Sequence, residues 1–256
     1  MIFAIDAGNT HIVLGCVEGD SLLFTSRVNT DRAKTADEYA LIFRNLCDLH
    51  QIDRGQVEGA ILSCVVSELQ GALCRAIEIV IHKKPLVVGA GIKTGLNIKI
   101  DNPAQLGADL VVGAVAALAK YPKPLVIFDM GTASTMSVID GKGQFLGGAI
   151  MAGLRLSVDS LSAGTSQLPR IELDAPPRVI CSNTVHCMQS GAVYGHAAML
   201  DGLVDRAEAE LGEPVAAVVV TGGLAGLLLP YCKRKISLEE NLMLDGLRIL
   251  YEKNRA

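Results

Sequence analysis

Apolar residues fall in short runs that stop at an acid and a glycine. The first, Ile2-Phe3-Ala4-Ile5, meets Asp6-Ala7-Gly8-Asn9-Thr10, and a second run, Ile12–Val17, follows. Two apolar stretches joined by a tight glycine-containing turn predict a β-hairpin. Helical spacing follows over 36–49, a strand over 58–66, a helix over 67–82 and a short strand over 85–88. A helical run over 104–119 then gives way to Lys120-Tyr121-Pro122-Lys123-Pro124, where two prolines end a helix and open a strand. Beyond it the pattern predicts a long helical stretch over 184–211 broken by glycines, a strand over 216–220 and a last helix over 239–252. Strands alternating with helices imply a layered α/β fold.

The opening pattern returns 123 residues later. Leu125-Val126-Ile127-Phe128 meets Asp129-Met130-Gly131-Thr132, and another apolar run ends in Asp140-Gly141. Asp6 and Gly8 correspond to Asp129 and Gly131. A strand, an acid, a glycine turn and a second strand, repeated at nearly half the length, predict two copies of one domain, 1–118 and 119–256.

Of the 256 residues, 50% are apolar, but 4% are aromatic and none is Trp, so the core must be aliphatic, as in a buried and largely parallel sheet. The net charge of −4 and the lack of a Lys/Arg run give no footprint for nucleic acid. No apolar stretch reaches the roughly 20 residues of a membrane span, and the first residues lack a signal peptide's basic region. Seven cysteines without a CxxC pair read as reduced thiols. Together these lead us to expect a cytoplasmic chain with neither a membrane nor a nucleic-acid partner.

The turns carry the candidate chemistry. Backbone N–H groups of a glycine turn can approach an anion closely, Asn9 and Thr10 add side-chain donors, and Asp6 can hold a hydrated Mg²⁺. Asp, Gly, Asn and Thr are also ordinary turn residues, so one such turn says little. Two of them, one per copy, could grip a polyphosphate from both sides of a cleft. Thr221-Gly222-Gly223, at the carboxyl end of Val218-Val219-Val220, suits a flat ligand, although a plain strand-to-helix turn would look the same. Asp109 interrupts the apolar run Leu106–Leu118. A carboxylate there either faces water or serves as a general base for a substrate hydroxyl. The five histidines show no metal spacing.

Taken in order, these motifs resemble those of the type III pantothenate kinases, within the superfamily of actin, sugar kinases and chaperone ATPases. The resemblance runs from Ile5 to about Asn254. It includes Asp6–Thr10, Ser63-Cys64-Val65-Val66, Lys93-Thr94-Gly95-Leu96, Asn102-Pro103 with Gly107-Ala108-Asp109, Asp129–Thr132, Gly147-Gly148-Ala149-Ile150, Asn183-Thr184 and Thr221-Gly222-Gly223. It implies two ribonuclease-H-like domains with a nucleotide cleft between them. It also implies transfer of the ATP γ-phosphoryl group to pantothenate, the first step of coenzyme A synthesis, with Asp109 as proton acceptor. Gly107, Ala108, Asp109, Leu110 and Thr184 would touch pantothenate. Asp6, Gly8, Asn9, Thr10, Gly131, Thr132, Gly222 and Gly223 would bind ATP. Asp129 would bind K⁺ or NH₄⁺, Mg²⁺ would accompany ATP, and the protein would be a homodimer.

Three positions depart from the family pattern. Leu110 stands where Arg is usual, Ile100 where Tyr is frequent, and Ser137 where Asp is frequent. A leucine offers no charged hydrogen bond to a carboxylate or phosphate. These departures leave open a nucleotide-binding member without kinase activity, or a phosphohydrolase of the same superfamily.

Overall fold

A computed structural model describes residues 1–255. Along the chain run β1 (Ile2–Ala7), β2 (His11–Glu18), β3 (Ser21–Asn29), α1 (Ala36–Leu49), β4 (Gly59–Cys64), α2 (Ser67–Ile81) and β5 (Leu86–Val87). Then come β6 (Asn97–Ile98), α3 (Ala108–Lys120), β7 (Leu125–Met130), β8 (Ala133–Ile139), β9 (Gln144–Ala152), α4 (Leu154–Gly164) and α5 (Thr184–Leu211). The last elements are β10 (Ala217–Thr221), α6 (Ala225–Leu228), β11 (Ser237–Leu238) and α7 (Leu242–Asn254).

They form two compact units. The first holds Met1–Leu96, Asn102–Ala119 and the chain from Asn241 onward; the second holds Asn97–Asp101 and Lys120–Glu240. Two segments lie apart in sequence from the rest of their unit. Asn97–Ile98 pairs in parallel with Gln144–Phe145 of the second sheet. The helix α7 packs in the first unit, because Leu244, Leu247 and Leu250 bury their side chains with Ala4, Ile61, Val111, Val112 and Val115.

The strand orders are β3-β2-β1-β4-β5 and β11-β10-β7-β8-β9-β6. Reversing the second gives the same order as the first, with β6 added at one edge. In each sheet a central strand pairs antiparallel with the next strand and parallel with a later one: β1 with β2 and β4, β7 with β8 and β10. The duplication read from the acid–glycine turns is therefore a duplication of topology.

Local chemistry sets the element ends. Thr35 and Glu38 form a reciprocal capping box at the start of α1. Asn183 caps α5 by accepting from the His186 N–H at 2.9 Å, and Gly212 ends that helix in the left-handed region. Glycines were expected to break this stretch, yet α5 runs unbroken for 28 residues. Buried Met188, Val193, Leu200 and Val204 pack it onto β7 and β10, and that packing outweighs the roughly 1 kcal/mol per glycine in helix propensity.

Candidate functional site

β1 and β7 have the same burial pattern: four buried residues, one half-buried residue, one buried residue. The half-buried position is Asp6 in one strand and Asp129 in the other. Each acid thus ends a strand too apolar to leave its sheet, which fixes where the carboxylate stands.

In the first unit, Asp6 lies opposite Val13 on β2 and opposite Ser63 on β4. Alternation along the strands puts Asp6 and Ser63 on the face of Ala4 and Ile61, the face covered by α3 and α7. The turn that follows is tightly held. Gly8 N–H donates to the His11 carbonyl at 3.0 Å, Thr30 Oγ1 donates to the Gly8 carbonyl at 2.7 Å, and Thr30 N–H donates to the Thr10 carbonyl at 2.9 Å. A Cβ at Gly8 would stand 3.2 Å from the His11 carbonyl oxygen, so close approach of backbone accounts for this glycine. Asn9 and Thr10 are exposed, and Arg32 Nη2 donates to Asn9 Oδ1 at 3.1 Å.

Asp109 is in the first turn of α3, on a helix whose Val111, Val112 and Val115 pack on that same face of the first sheet. Its Oδ1 accepts the Leu110 N–H at 2.8 Å. Burial pushes its carboxyl above the usual Asp value, against the opposing pull of backbone hydrogen bonds from Leu110 and Asp109. Asp109 is thus half-buried rather than on a fully wet face of the helix. Gly107, Ala108 and Leu110 are also half-buried around it.

The second unit repeats the arrangement. Asp129 lies opposite Thr135 on β8 and opposite buried Thr221 on β10. Gly131 and Thr132 are exposed at the turn. A Cβ at Gly131 would sit 3.3 Å from the Ala133 carbonyl oxygen, and the Gly153 N–H donates to the Thr132 carbonyl at 3.1 Å. Gly222 adopts φ +99°, and a side chain there would lie 2.6 Å from the Met130 backbone. The Thr221-Gly222-Gly223 turn is thus pressed against the residue between Asp129 and Gly131. Gly222 adopts a conformation, and sits in a space, that no other residue type could easily take.

Thr184 is exposed at the first position of α5 in the second unit. Ser137 is buried on β8 opposite Ile127 and Gly148, and Ile100 packs beside Gly147. A cavity of about 500 Å³ in the first unit is lined by Arg54, Val57, His82 and Lys83. Those residues flank the start of β4, the opposite end of the strand from Ser63, so this cavity is separate from the turn. Ser63, which the sequence shows only as part of a motif, and Ser134, which it does not single out, carry wholly buried hydroxyls that lack a hydrogen-bond partner among the described residues. Only strand register brings them beside Asp6 and Met130.

The sequence profile of the type III pantothenate kinases matches residues 2–206. The chain belongs to that family. A type III pantothenate kinase of Exiguobacterium sp. is 46% identical over 255 residues, covering 100% of both chains, and one of Moorella thermoacetica is 45% identical over 99% of this chain and 100% of its own. Among solved structures, the inorganic polyphosphate/ATP-glucomannokinase of Arthrobacter sp. aligns with a TM-score of 0.52 at 17% identity, covering 98% of this chain and 97% of that one. Component A of the (R)-2-hydroxyglutaryl-CoA dehydratase of Acidaminococcus fermentans aligns with a TM-score of 0.56 at 14% identity, covering 100% of both. At these identities the solved structures speak to the fold alone, which is the actin-like ATPase and sugar-kinase fold that the family resemblance implies. Membership in a pantothenate kinase family makes the chain a phosphotransferase. Among the described residues, no helix is long and apolar enough to cross a membrane.

Proposed function

We infer that this type III pantothenate kinase transfers the γ-phosphoryl group of ATP to the primary hydroxyl of pantothenate, giving 4'-phosphopantothenate at the start of coenzyme A biosynthesis. What carries the reading is full-length relatedness to pantothenate kinases in a chain that keeps both acid–glycine turns and Asp109.

In the step itself, the pantothenate hydroxyl oxygen bonds to the γ-phosphorus, the bond from that phosphorus to the β–γ bridging oxygen breaks, and ADP leaves. Asp109 takes the hydroxyl proton. A carboxyl held above its usual pKa by burial is a stronger base than an ordinary aspartate. Gly107, Ala108 and Leu110 of the first unit, and Thr184 of the second, are the residues that would touch pantothenate. The Asp6–Thr10 turn would offer backbone N–H groups to phosphate, as would the Asp129–Thr132 turn of the second unit, and Gly222-Gly223 would lie against the nucleoside. Phosphoryl transfer asks the protein chiefly for such positioning and for stabilising charge.

Mg²⁺ fits the first turn. Asp6 offers a half-buried carboxylate beside an unpartnered hydroxyl, Ser63. No cluster of three His, Cys, Asp or Glu stands among the described residues, so the cation would draw its other ligands from water and phosphate oxygens, as Mg²⁺ does at nucleotide sites. Bound there, it would neutralise charge on the transferred group. Asp129 would hold K⁺ or NH₄⁺ at the second turn.

The chain works as a homodimer in this reading. Val179, Ile180 and Val185 are 62%, 85% and 40% exposed beside Thr184, and apolar side chains left in water next to a substrate residue suit burial against a second copy.

The direct test is mass spectrometry of a reaction containing ATP, Mg²⁺, K⁺ and pantothenate. The expected product is phosphopantothenate in a one-to-one ratio with ADP. Inorganic phosphate without phosphopantothenate would overturn the reading in favour of a hydrolase, and no consumption of ATP would favour a non-catalytic member.

A further inference from the structure

Two buried hydroxyls have no hydrogen-bond partner among the described residues, and both flank an acid–glycine turn. Ser63 lies opposite Asp6; Ser134 lies opposite Met130, next to Asp129. An unsatisfied hydroxyl in an interior costs stability, so a fold keeps one where something else requires it. Ser63 is wholly shielded from solvent, so bulk water does not supply its partner.

Strand register points to the group that does. On neighbouring parallel strands, facing residues sit about 4.8 Å apart with side chains on one face. The residue facing Ser63 is Asp6. The second unit keeps the same relation, with buried Thr221 facing Asp129. Each carboxylate in the repeat therefore has a hydroxyl residue opposite it on the parallel neighbour, while the other positions of β4 between Ala60 and Leu62 are apolar.

We propose that Ser63 is a positioning residue of the nucleotide site: its hydroxyl donates a hydrogen bond to the Asp6 carboxylate in the nucleotide-bound enzyme and holds that carboxylate turned toward the Mg²⁺–triphosphate group. The donor is already in place and carries no competing partner. The inference rests on the assignment of the Asp6 turn to Mg²⁺ and ATP.

The test compares Ser63→Ala and Ser63→Thr with the unaltered enzyme. Binding of ATP with Mg²⁺ is measured by titration calorimetry, half-saturating Mg²⁺ and pantothenate KM by steady-state rates, and stability by thermal melting. Removing an unsatisfied hydroxyl leaves the alanine variant as stable as the unaltered enzyme or more so. Its ATP·Mg²⁺ dissociation constant and half-saturating Mg²⁺ are expected to rise roughly tenfold, the loss of one hydrogen bond to a charged group, with pantothenate KM unchanged. The threonine variant, which keeps the hydroxyl found at position 221, is expected within about twofold of the unaltered enzyme. An alanine variant that binds ATP·Mg²⁺ normally overturns the proposal, whatever its melting temperature. Failure of the unaltered enzyme itself to bind ATP·Mg²⁺ would instead overturn the assignment of the Asp6 turn.

Discussion

The Arg32 guanidinium donates to the Asn9 side chain at 3.1 Å and pairs with Glu68 at 3.3 Å, so a cation stands beside the first acid–glycine turn. In a chain with a net charge of −4, this arginine is well placed to meet a triphosphate held by that turn. Arg32→Ala is expected to raise the KM for ATP about tenfold while leaving the KM for pantothenate near its original value, and Arg32→Lys to recover part of the loss. Steady-state kinetics with each substrate varied separately checks this. An unchanged ATP KM removes Arg32 from the site.

Asp109 separates catalysis from stability. Asp109→Asn is expected to keep ATP binding and to lower kcat by at least about 10², the low end of general-base effects. Rapid quench with labelled ATP measures it.

The same substitution has the opposite effect on the fold. Burial raises the Asp109 pKa in the native state, so the native protein holds this proton more tightly than the unfolded chain does. The group's contribution to stability is full below the ordinary aspartate value near 3.9 and is lost as pH rises through the raised one. At neutral pH the ionised carboxylate therefore works against the fold. The asparagine variant is expected to melt above the unaltered enzyme at pH 7, with the gap narrowing as pH falls through the raised value and closed below about 4. Melting curves across that range settle the sign.

Gly222 has no room and no choice of conformation. Its φ of +99° and the Met130 backbone 2.6 Å from any added Cβ lead us to expect Gly222→Ala to cost at least about 2 kcal/mol in urea unfolding and to weaken ATP binding. Gly71, exposed within α2 with nothing near its would-be side chain, is the control. Gly71→Ala is expected to add about 0.5–1 kcal/mol through helix propensity alone.

A cation site at Asp129 predicts a salt effect that ionic strength cannot mimic. Replacing K⁺ or NH₄⁺ by Na⁺ at equal concentration is expected to raise the KM for ATP, and Asp129→Asn to abolish the difference between the salts. Equal kinetics in all three salts would dismiss the site.

The exposed side chain of Ile180 tests the dimer. Ile180→Asp is expected to shift the protein from dimer to monomer in sedimentation at micromolar concentration and to weaken pantothenate use more than ATP binding. A dimer unaffected by this charge would move the contact elsewhere.

Much of this architecture was legible in the sequence because the signal was apolar periodicity interrupted by an acid. Asp6 and Asp129 stand out as carboxylates that close a buried apolar run just before a glycine turn, and α1, α2 and the central strands of both sheets follow the predicted spans closely. The return of α7 to the first unit was not visible, because amphipathic spacing tells which face is buried and not against what. The sequence reads Gly222 as part of a turn that suits either a flat ligand or a plain strand-to-helix connection, but the reason the structure shows for it, the Met130 backbone, depends on two strands brought together across 92 residues of chain. Ser63 was invisible as a site residue for the same reason: a serine at the end of a strand is unremarkable until register sets it against Asp6.

The placement of α7 also orders assembly in time. The second unit is built almost wholly from one continuous stretch, Lys120–Glu240, whereas the first waits for residues beyond 240 to cover the face of Ala4 and Ile61. During synthesis, then, the half of the protein made first is the half completed last. Until Leu244, Leu247 and Leu250 leave the ribosome, the sheet that carries Asp6 has only α3 over this face and keeps part of it bare and oily, and ribosome-bound chains halted before residue 241 are where a chaperone has most to hold.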